Sequence, residues 1–290
     1  FFIDFIILFA KLKSVSKNSR ILTLLLKIYC LSFYYFCQIL NMKQRYFIEI
    51  SYNGKNYHGW QVQPNAISVQ EVLNDCLTKL LRQEIYVVGA GRTDTGVHAK
   101  QLFAHFDLVK KVKDISKFLS RLNSFLPKDI AANSLLEVGE KAHARFDATA
   151  RTYEYFVAQQ KNPFKYNSAY LVYKPLNIEA MNQAAKRLFN FHDFTSFSKS
   201  ETQTKTNNCE IMQAYWEERE GLLVFTIQAD RFLRNMVRAI VGTLLEVGLG
   251  KMTEEGFVKV IKSKDRSKAG TSVPAYALYL LEVSYPKYFL

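Results

Sequence analysis

The chain has 290 residues, of which 49% are hydrophobic and 22% are charged, and its formal net charge is +13. This length allows a sizeable core, and only 12 glycines and 6 prolines argue against a disordered or collagen-like chain. The positive charge suits a polyanionic partner but does not distinguish RNA, DNA and an anionic membrane.

The cysteines and histidines show no spacing that is typical of a disulfide framework or a zinc site. No C-x-x-C pair occurs among Cys30, Cys37, Cys76 and Cys209, which fits a reducing compartment. We therefore expect no bound metal and a cytoplasmic location.

Residues 1–41 differ abruptly from the rest of the chain. Residues 21–40 are mostly apolar and follow a basic flank, a pattern that could span a bilayer or open a signal sequence. However, Lys27 interrupts the run and no small-x-small cleavage site follows it. We expect residues 1–41 to be a translated upstream region outside the fold, with the start at Met42. We expect no membrane association unless residues 21–40 are expressed.

Residues 42–148 show a regular order of predicted strands and helices. Alternating apolar residues predict strands, and apolar residues at i, i+3, i+4 and i+7 predict helices. In chain order we predict a strand from 46 to the Asn53-Gly54 turn, a helix opened by the capping box Ser68–Glu71, a short strand at 85–90, a glycine-bordered loop, a strand at 101–108, a helix capped by Asp114 and a strand at 130–138.

Residues 149–290 repeat this order. We predict a strand through Tyr153, a helix capped by Asn177, strands at 209–218 and 222–229, a long helix at 231–247, a short helix at 253–262 and a last strand from Leu278 to Tyr285. Two tandem β-α-β-β-α-β units predict an α+β fold with two ferredoxin-like lobes, 42–148 and 149–290. We expect a mixed, largely antiparallel central sheet, and a cleft between the lobes for a large ligand.

The loop from Gly91 to His98 places the carboxylate of Asp94 between two glycines and near Arg92. Glycines permit tight turns, and a neighbouring arginine favours an ionised carboxylate. Such a carboxylate can act as nucleophile or base. Taken alone, however, the composition favours an ordinary hairpin turn in which the aspartate caps its own backbone.

The wording of this loop, Gly91 to His98, resembles the signature of the tRNA pseudouridine synthase A family. Thr95 stands where the family usually has alanine. Other segments resemble the family in the same order: Ser51–Gln61, Ser68–Glu71, Leu126–Ile130, His143–Phe146, Ala150–Tyr153, Asp193–Phe197 and Phe232–Gly242. The resemblance covers 42–290 and none of 1–41.

The resemblance implies an isomerase that converts uridine to pseudouridine at positions 38, 39 and 40 of the tRNA anticodon stem-loop. It implies a homodimer that uses neither metal nor organic cofactor. Asp94 takes the place of the family's catalytic carboxylate, and whether it attacks the sugar, attacks the base or acts only as a base stays open. The alternative is a non-catalytic RNA-binding protein of the same fold.

The resemblance also implies roles for three further side chains. Arg92 would assist the extrusion of the target nucleotide, which must leave its stack before it can react. Tyr153 would stack on the uracil, although by itself it could equally be a core tyrosine of a strand. Arg238 would approach Asp94. In the predicted helix, Arg231 and Arg234 would share a face with Arg238, which could also be an ordinary solvated face.

The remaining candidates are contacts to the RNA. The family segment that touches tRNA corresponds to residues 142–146, although Ala142 stands where phenylalanine is common. We predict RNA-binding roles for a set of polar and aromatic residues: His143, Arg145, Phe146, Lys111, Lys113, Gln203 and Asn207. Contacts of this kind to phosphates would position the RNA without reading its sequence. Runs of lysine are also common on surfaces that are merely solvated.

Overall fold

The computed structural model of the chain describes Lys27, residues 43–199 and residues 206–286. Of these residues, 45–107, 112–199 and 206–286 belong to one compact unit, and the core and site described below lie in it. The predictions for residues 1–41 and for a start at Met42 fall outside the described residues, Lys27 excepted. Of the residues described, none lies in a helix long and apolar enough to cross a membrane.

The order of strands and helices agrees with the one predicted, with a two-residue strand in addition. The elements are β1 Gln44–Tyr52, α1 Val69–Leu81, β2 Val88–Gly89, β3 His98–Leu108, α2 Ile115–Phe125, β4 Ile130–Val138, β5 Ala150–Ala158, β6 Tyr170–Leu171, α3 Ile178–Lys186, β7 Ile211–Arg219, β8 Leu222–Ala229, α4 Met236–Gly248, α5 Glu254–Ser263 and β9 Leu278–Ser284.

The strands form one sheet with the order β4-β1-β3-β9-β5-β8-β7, in which β2 pairs with β3 and β6 with β5. The β3–β9 and β5–β6 pairs are parallel. The pairs β1–β4, β2–β3, β5–β8, β5–β9 and β7–β8 are antiparallel. The predicted α+β class with a mixed, largely antiparallel sheet is therefore confirmed. The division into lobes at 148/149 and the cleft between them stay predictions.

Three predicted helix caps are formed by the expected side chains. Ser68 accepts a hydrogen bond from the Glu71 amide at 3.3 Å while the Glu71 carboxylate accepts from the Ser68 amide, which completes the capping box. The side chains of Asp114 and Asn177 cap α2 and α3 in the same way, each accepting from the amide three residues on.

The largest described core lies between the second half of the sheet and α3, α4 and α5. On β5 the side chains of Tyr155 and Val157 point into this core, whereas Glu154 points to the opposite face. There the Glu154 carboxylate, only 3% exposed, bonds Lys100 at 3.3 Å and Arg219 at 2.6 Å. Because side chains alternate along a strand, Tyr153 lies on the helix-covered face with Tyr155.

The predicted helix at 231–247 begins later than expected. Asn235 adopts a left-handed conformation with a φ of 67°, and α4 starts only at Met236. A left-handed residue cannot continue a right-handed helix. Arg231 and Arg234 therefore precede the helix, and the predicted stripe that they would form with Arg238 is wrong.

Candidate active site

Asp94 lies in the connection between β2 and β3, as predicted. These two strands pair antiparallel, with Gly89 opposite Ala104, so the connecting residues are held at both ends by the sheet. The Ala90 amide still bonds the Phe103 carbonyl at 2.8 Å. The residues from Gly91 to Val97, which we call the catalytic loop after the role predicted for Asp94, leave the sheet and return to it at His98.

The segment that follows β1 supports the centre of this loop. Gly59 has a φ of 86°, and a Cβ added to it would lie 2.3 Å from the Thr93 carbonyl oxygen. The Trp60 amide donates to that same carbonyl at 3.3 Å. The hydroxyls of Tyr52 and Thr93 share a buried hydrogen bond of 2.8 Å. The residue before Asp94 is thus fixed from both its backbone and its side chain.

The end of the loop is fixed by His98. Its Nδ1 accepts from the Gly54 amide at 3.1 Å, and its Nε2 lies 2.9 Å from the Tyr276 carbonyl oxygen. A carbonyl can only accept, so these partners assign the neutral tautomer with the proton on Nε2. Burial lowers the pKa of His98, which favours the same neutral form.

The two glycines that border the loop differ in what they contribute. Gly96 has a φ of 79°, and its amide donates to the Tyr57 carbonyl at 3.2 Å. Gly91 has no such φ, and a Cβ added there would meet nothing within 4 Å. The conformational freedom of glycine is therefore used at Gly96, whereas nothing in the described geometry requires glycine at position 91.

The partner of the Asp94 carboxylate is Arg238 on the first turn of α4. Arg238 Nη1 lies 3.5 Å from Asp94 Oδ2, and the two side chains are 22% and 25% exposed. Arg238 Nε donates to the Val273 carbonyl at 2.7 Å, which orients the guanidinium. The Asp94 contact is longer than a typical charge-assisted hydrogen bond of about 2.7–2.9 Å. Asp94 makes no other side-chain hydrogen bond among the described residues, so its oxygens are open to a ligand.

A close approach of α4 to the chain before β9 brings Arg238 into place. A Cβ added to Gly242 would lie 1.9 Å from the Thr271 carbonyl oxygen, so the helix can come this near only with glycine there. The Val273 amide donates back to the Arg238 carbonyl at 3.2 Å. These contacts hold Arg238 beside Asp94, although the two residues are 144 positions apart in the sequence.

The aromatic ring of Tyr153 on β5 lies near the Asp94 carboxylate, whose charge acts on its hydroxyl. Its half-buried ring meets Phe232 edge to face, with the ring centroids 5.2 Å apart. Burial of the hydroxyl raises the pKa of Tyr153, and the negative charge of Asp94 raises it further. Tyr153 is therefore a neutral phenol at any physiological pH. The structure brings Asp94, Arg238 and Tyr153 together.

Arg92 does not share in this cluster. Its side chain is exposed, and it makes no hydrogen bond or ion pair with any residue that the structure describes. The Asp94 carboxylate, two residues along the chain, pairs with Arg238, as the resemblance implied.

The segment from His143 to Phe146 presents an aromatic surface. His143 Nδ1 accepts from the amides of Arg145 and Phe146, and the His143 and Phe146 ring centroids lie 4.1 Å apart. Phe146 is 75% exposed and Arg145 is exposed. With Nδ1 engaged, only Nε2 of His143 can donate to a ligand.

The other RNA-contact candidates are Lys111, Lys113, Asn207 and Gln203. Lys111 and Lys113 are exposed. Asn207 donates from its side chain to the Thr195 hydroxyl at 2.9 Å. Gln203 lies outside the described residues. Within 43–199 and 206–286, no cluster of His, Cys, Asp or Glu has the makings of a metal site.

Sequence reasoning passed over two residues that shape this site. Phe232 falls within the predicted helix at 231–247, whereas it precedes the observed helix and packs against Tyr153. Arg151 was quoted only as part of a motif, yet it bonds the Ala90 carbonyl, where the catalytic loop begins. For Arg151, the sequence signal is its place two residues before Tyr153, on the same face of the same strand.

Comparisons with known proteins show the family to which the chain belongs. A model of the family described as tRNA pseudouridine synthase matches residues 49–147 and 184–286. A protein of Bacteroides thetaiotaomicron named tRNA pseudouridine synthase A is 57% identical over 247 residues, which cover 84% of this chain and 91% of the relative. Proteins of the same name from Parabacteroides distasonis and Thermoanaerobacter pseudethanolicus are 54% and 41% identical, covering 97% and 98% of their own lengths and 84% and 82% of this chain. The chain belongs to the tRNA pseudouridine synthase family.

Proposed function

We propose that this chain converts uridine to pseudouridine at positions 38, 39 and 40 in the anticodon stem-loop of tRNA, with Asp94 as the catalytic carboxylate. The family match and the relatives named tRNA pseudouridine synthase A support the reaction and its RNA substrate. They do not favour the alternative of a non-catalytic RNA-binding protein.

The contact between Asp94 and Arg238 is the observation that carries the proposal. A binding protein gains nothing from a fixed carboxylate in its groove, because a carboxylate repels the phosphates of RNA. Here Asp94 is held by a rigid loop, is partly shielded from water, and is balanced by one guanidinium at 3.5 Å. These features support a reacting carboxylate over one that only binds.

The reaction is an isomerisation at one nucleotide. The bond from C1′ to N1 breaks, a bond from C1′ to C5 forms, the C5 proton leaves and N1 gains a proton. Asp94 acts as nucleophile or base while the glycosidic bond breaks. The Arg238 guanidinium limits the cost of bringing the Asp94 carboxylate close to a polyanion.

Tyr153 and Arg92 handle the base and the nucleotide. The detached uracil must turn without leaving, and the flat face of Tyr153, held edge-on by Phe232, allows rotation within a stack. The exposed guanidinium of Arg92 is free to meet the RNA and to assist extrusion of the target nucleotide.

RNA docking would use the surface from His143 to Phe146. The exposed Phe146 ring can stack on a base, and Arg145 can contact a phosphate. We keep Lys111, Lys113 and Asn207 as secondary contacts, together with Gln203.

We further propose a homodimer that works in the cytoplasm and needs no cofactor. The dimer follows from the family resemblance alone, and light scattering on the full chain would test it. Cys76 and Cys209 are free and buried, which suits a reducing compartment. The mature N-terminus, read by mass spectrometry, would show whether residues 21–40 exist in the cell.

Tritium release from tRNA labelled at C5 of uridine tests the function, because formation of the new bond expels the C5 hydrogen. We expect the full chain to release tritium, and Asp94→Asn to release none while it still binds tRNA. Equal release by Asp94→Asn would remove Asp94 from the chemistry. Binding without release by the unaltered chain would favour the non-catalytic alternative.

A further inference from the structure

Arg151, the second residue of β5, makes a set of hydrogen bonds that the proposed reaction leaves without a role. Its Nη2 donates to the carbonyls of Ala90 at 3.0 Å and Arg145 at 2.8 Å. Its Nη1 donates to the carbonyls of Ala148 at 2.9 Å and Asp230 at 2.7 Å. All four acceptors are backbone carbonyl oxygens. The guanidinium therefore holds chain segments together and does not pair with a carboxylate among the described residues.

Each of the linked segments contributes to the site. Ala90 is the last residue before the catalytic loop, and Arg145 belongs to the candidate RNA surface. Asp230 lies two residues before Phe232, the ring that meets Tyr153. One side chain therefore joins the entry of the catalytic loop, the RNA surface and the support of the stacking tyrosine.

The chemistry of arginine explains why this residue can do so. A guanidinium presents five N–H donors in a rigid plane, whereas a lysine ammonium is a single compact group on a flexible chain. Burial lowers the pKa of Arg151, but an arginine keeps its charge in proteins. The retained charge strengthens its bonds to the four carbonyl oxygens.

We propose that Arg151 is a positioning residue that couples docking of RNA on the His143–Phe146 surface to the placement of Asp94. The inference rests on the proposed function. A shift of the Arg145 backbone moves an acceptor that shares Nη2 with Ala90, so it reaches the catalytic loop through one nitrogen.

Arg45 offers a matched control. It donates to the carbonyl of Ala142 at 2.9 Å and pairs with Asp107, so it holds the same RNA surface from its other end. Neither Ala142 nor Asp107 belongs to the catalytic loop. Arg45→Lys should therefore disturb the surface without freeing Asp94, and Arg151→Lys should do both.

The first experiment measures hydrogen–deuterium exchange of the full chain without RNA. We expect Arg151→Lys to speed exchange of the peptide that spans Gly91–Val97, and Arg45→Lys to leave that peptide unchanged. This readout does not depend on activity, so it tests the inference even where the proposed function fails. Unchanged exchange in Arg151→Lys overturns the inference.

The second experiment measures the single-turnover rate of tritium release at saturating protein. A small misplacement of a catalytic group can cost up to about a hundredfold, so we expect Arg151→Lys to be about tenfold to a hundredfold slower than the unaltered chain. Arg45→Lys should weaken tRNA binding, and at saturating protein it should lose less of the rate than Arg151→Lys does. A full rate in Arg151→Lys, with the unaltered chain active, overturns the inference and leaves the proposed function standing.

A variant that fails to fold would also lose activity, so folding is measured separately from the rate. Circular dichroism of each variant shows whether it is folded, and Arg151→Gln, which keeps two N–H donors, replaces Arg151→Lys if the latter does not fold. For Arg151→Ala, added guanidinium ion should restore part of the rate while urea at the same concentration should not. A merely structural arginine would show no such difference.

Discussion

Arg238 reaches Asp94 from a helix that begins directly after a left-handed residue. Its Nη1 lies 3.5 Å from Asp94 Oδ2, while its Nε is held by the Val273 carbonyl at 2.7 Å. The hydrogen bond from Nε to Val273 thus orients the guanidinium, so that Nη1 faces the Asp94 carboxylate. If Asp94 reacts as proposed, this fixed positive charge needs no reorganisation at the moment of reaction.

Replacing Arg238 by methionine should slow the reaction strongly. Methionine keeps the apolar stem but removes the charge that balances Asp94, and loss of one preorganised electrostatic partner typically costs about a hundredfold or more in rate. Single-turnover tritium release at saturating protein measures the effect. Arg234→Met is the control, because Arg234 is exposed and precedes the helix. Equal losses in both variants would mean that charge in this region, not the Asp94 contact, matters.

The contrast between these two arginines shows where sequence reasoning stops. The apolar spacing through Phe232 and Leu233 continues that of α4, so periodicity alone extends the helix backwards over Arg231 and Arg234. The left-handed Asn235 interrupts the helix, and the Phe232 ring packs against Tyr153. Periodicity does not reveal such a break, because the apolar residues are satisfied by tertiary contacts on either side of it.

Local signals, by contrast, were sufficient for much of the fold. The strands at 130–138 and 222–229 have the predicted bounds, and the caps at Ser68, Asp114 and Asn177 form as expected. These features depend on neighbours within a few residues. The support of the catalytic loop could not be predicted, since it depends on atoms more than thirty residues apart, such as those of Gly59 and Thr93.

Tyr153 should tolerate loss of its hydroxyl but not of its ring. The hydroxyl makes no hydrogen bond among the described residues, and burial keeps it neutral, so Tyr153→Phe should retain most of the activity. Tyr153→Leu removes the flat face, and stacking on a base is worth about 1–3 kcal/mol, which predicts a loss of about fivefold to 150-fold in kcat/KM. A large loss in Tyr153→Phe would assign the hydroxyl a chemical role.

Two glycine substitutions should differ sharply in stability. Gly59→Ala adds a Cβ 2.3 Å from the Thr93 oxygen at a positive φ, so we expect its free energy of unfolding to fall by about 1–3 kcal/mol or more. Gly91→Ala meets open space at an ordinary φ, so its free energy should stay within about 1 kcal/mol of the unaltered chain. Urea unfolding followed by circular dichroism compares them. Equal destabilisation would show that the loop does not rest on Gly59.

His105 lies beneath the candidate RNA surface, residues His143–Phe146, and contacts it through Ala144 and His143. Its Nδ1 accepts from the Ala144 amide at 3.1 Å, and its ring lies 4.6 Å from that of His143. Burial, followed by the charge of Arg45, lowers the pKa of His105 to about 4, against the favourable charges of Asp107 and Asp147. Folding therefore keeps this imidazole neutral in a range where the unfolded chain would protonate it.

Acid should therefore weaken the fold through His105. Between pH about 4 and 6.5 the unfolded state binds the extra proton, so stability falls as pH falls, with a slope of at most about 1.4 kcal/mol per pH unit from this group. Above pH about 6.5 the imidazole is neutral in both states and contributes no slope. His105→Asn keeps an acceptor for the Ala144 amide but cannot titrate, so its unfolding free energy should depend less on pH over this range. Parallel pH profiles for the two proteins would show that protonation of His105 is not what acid acts on.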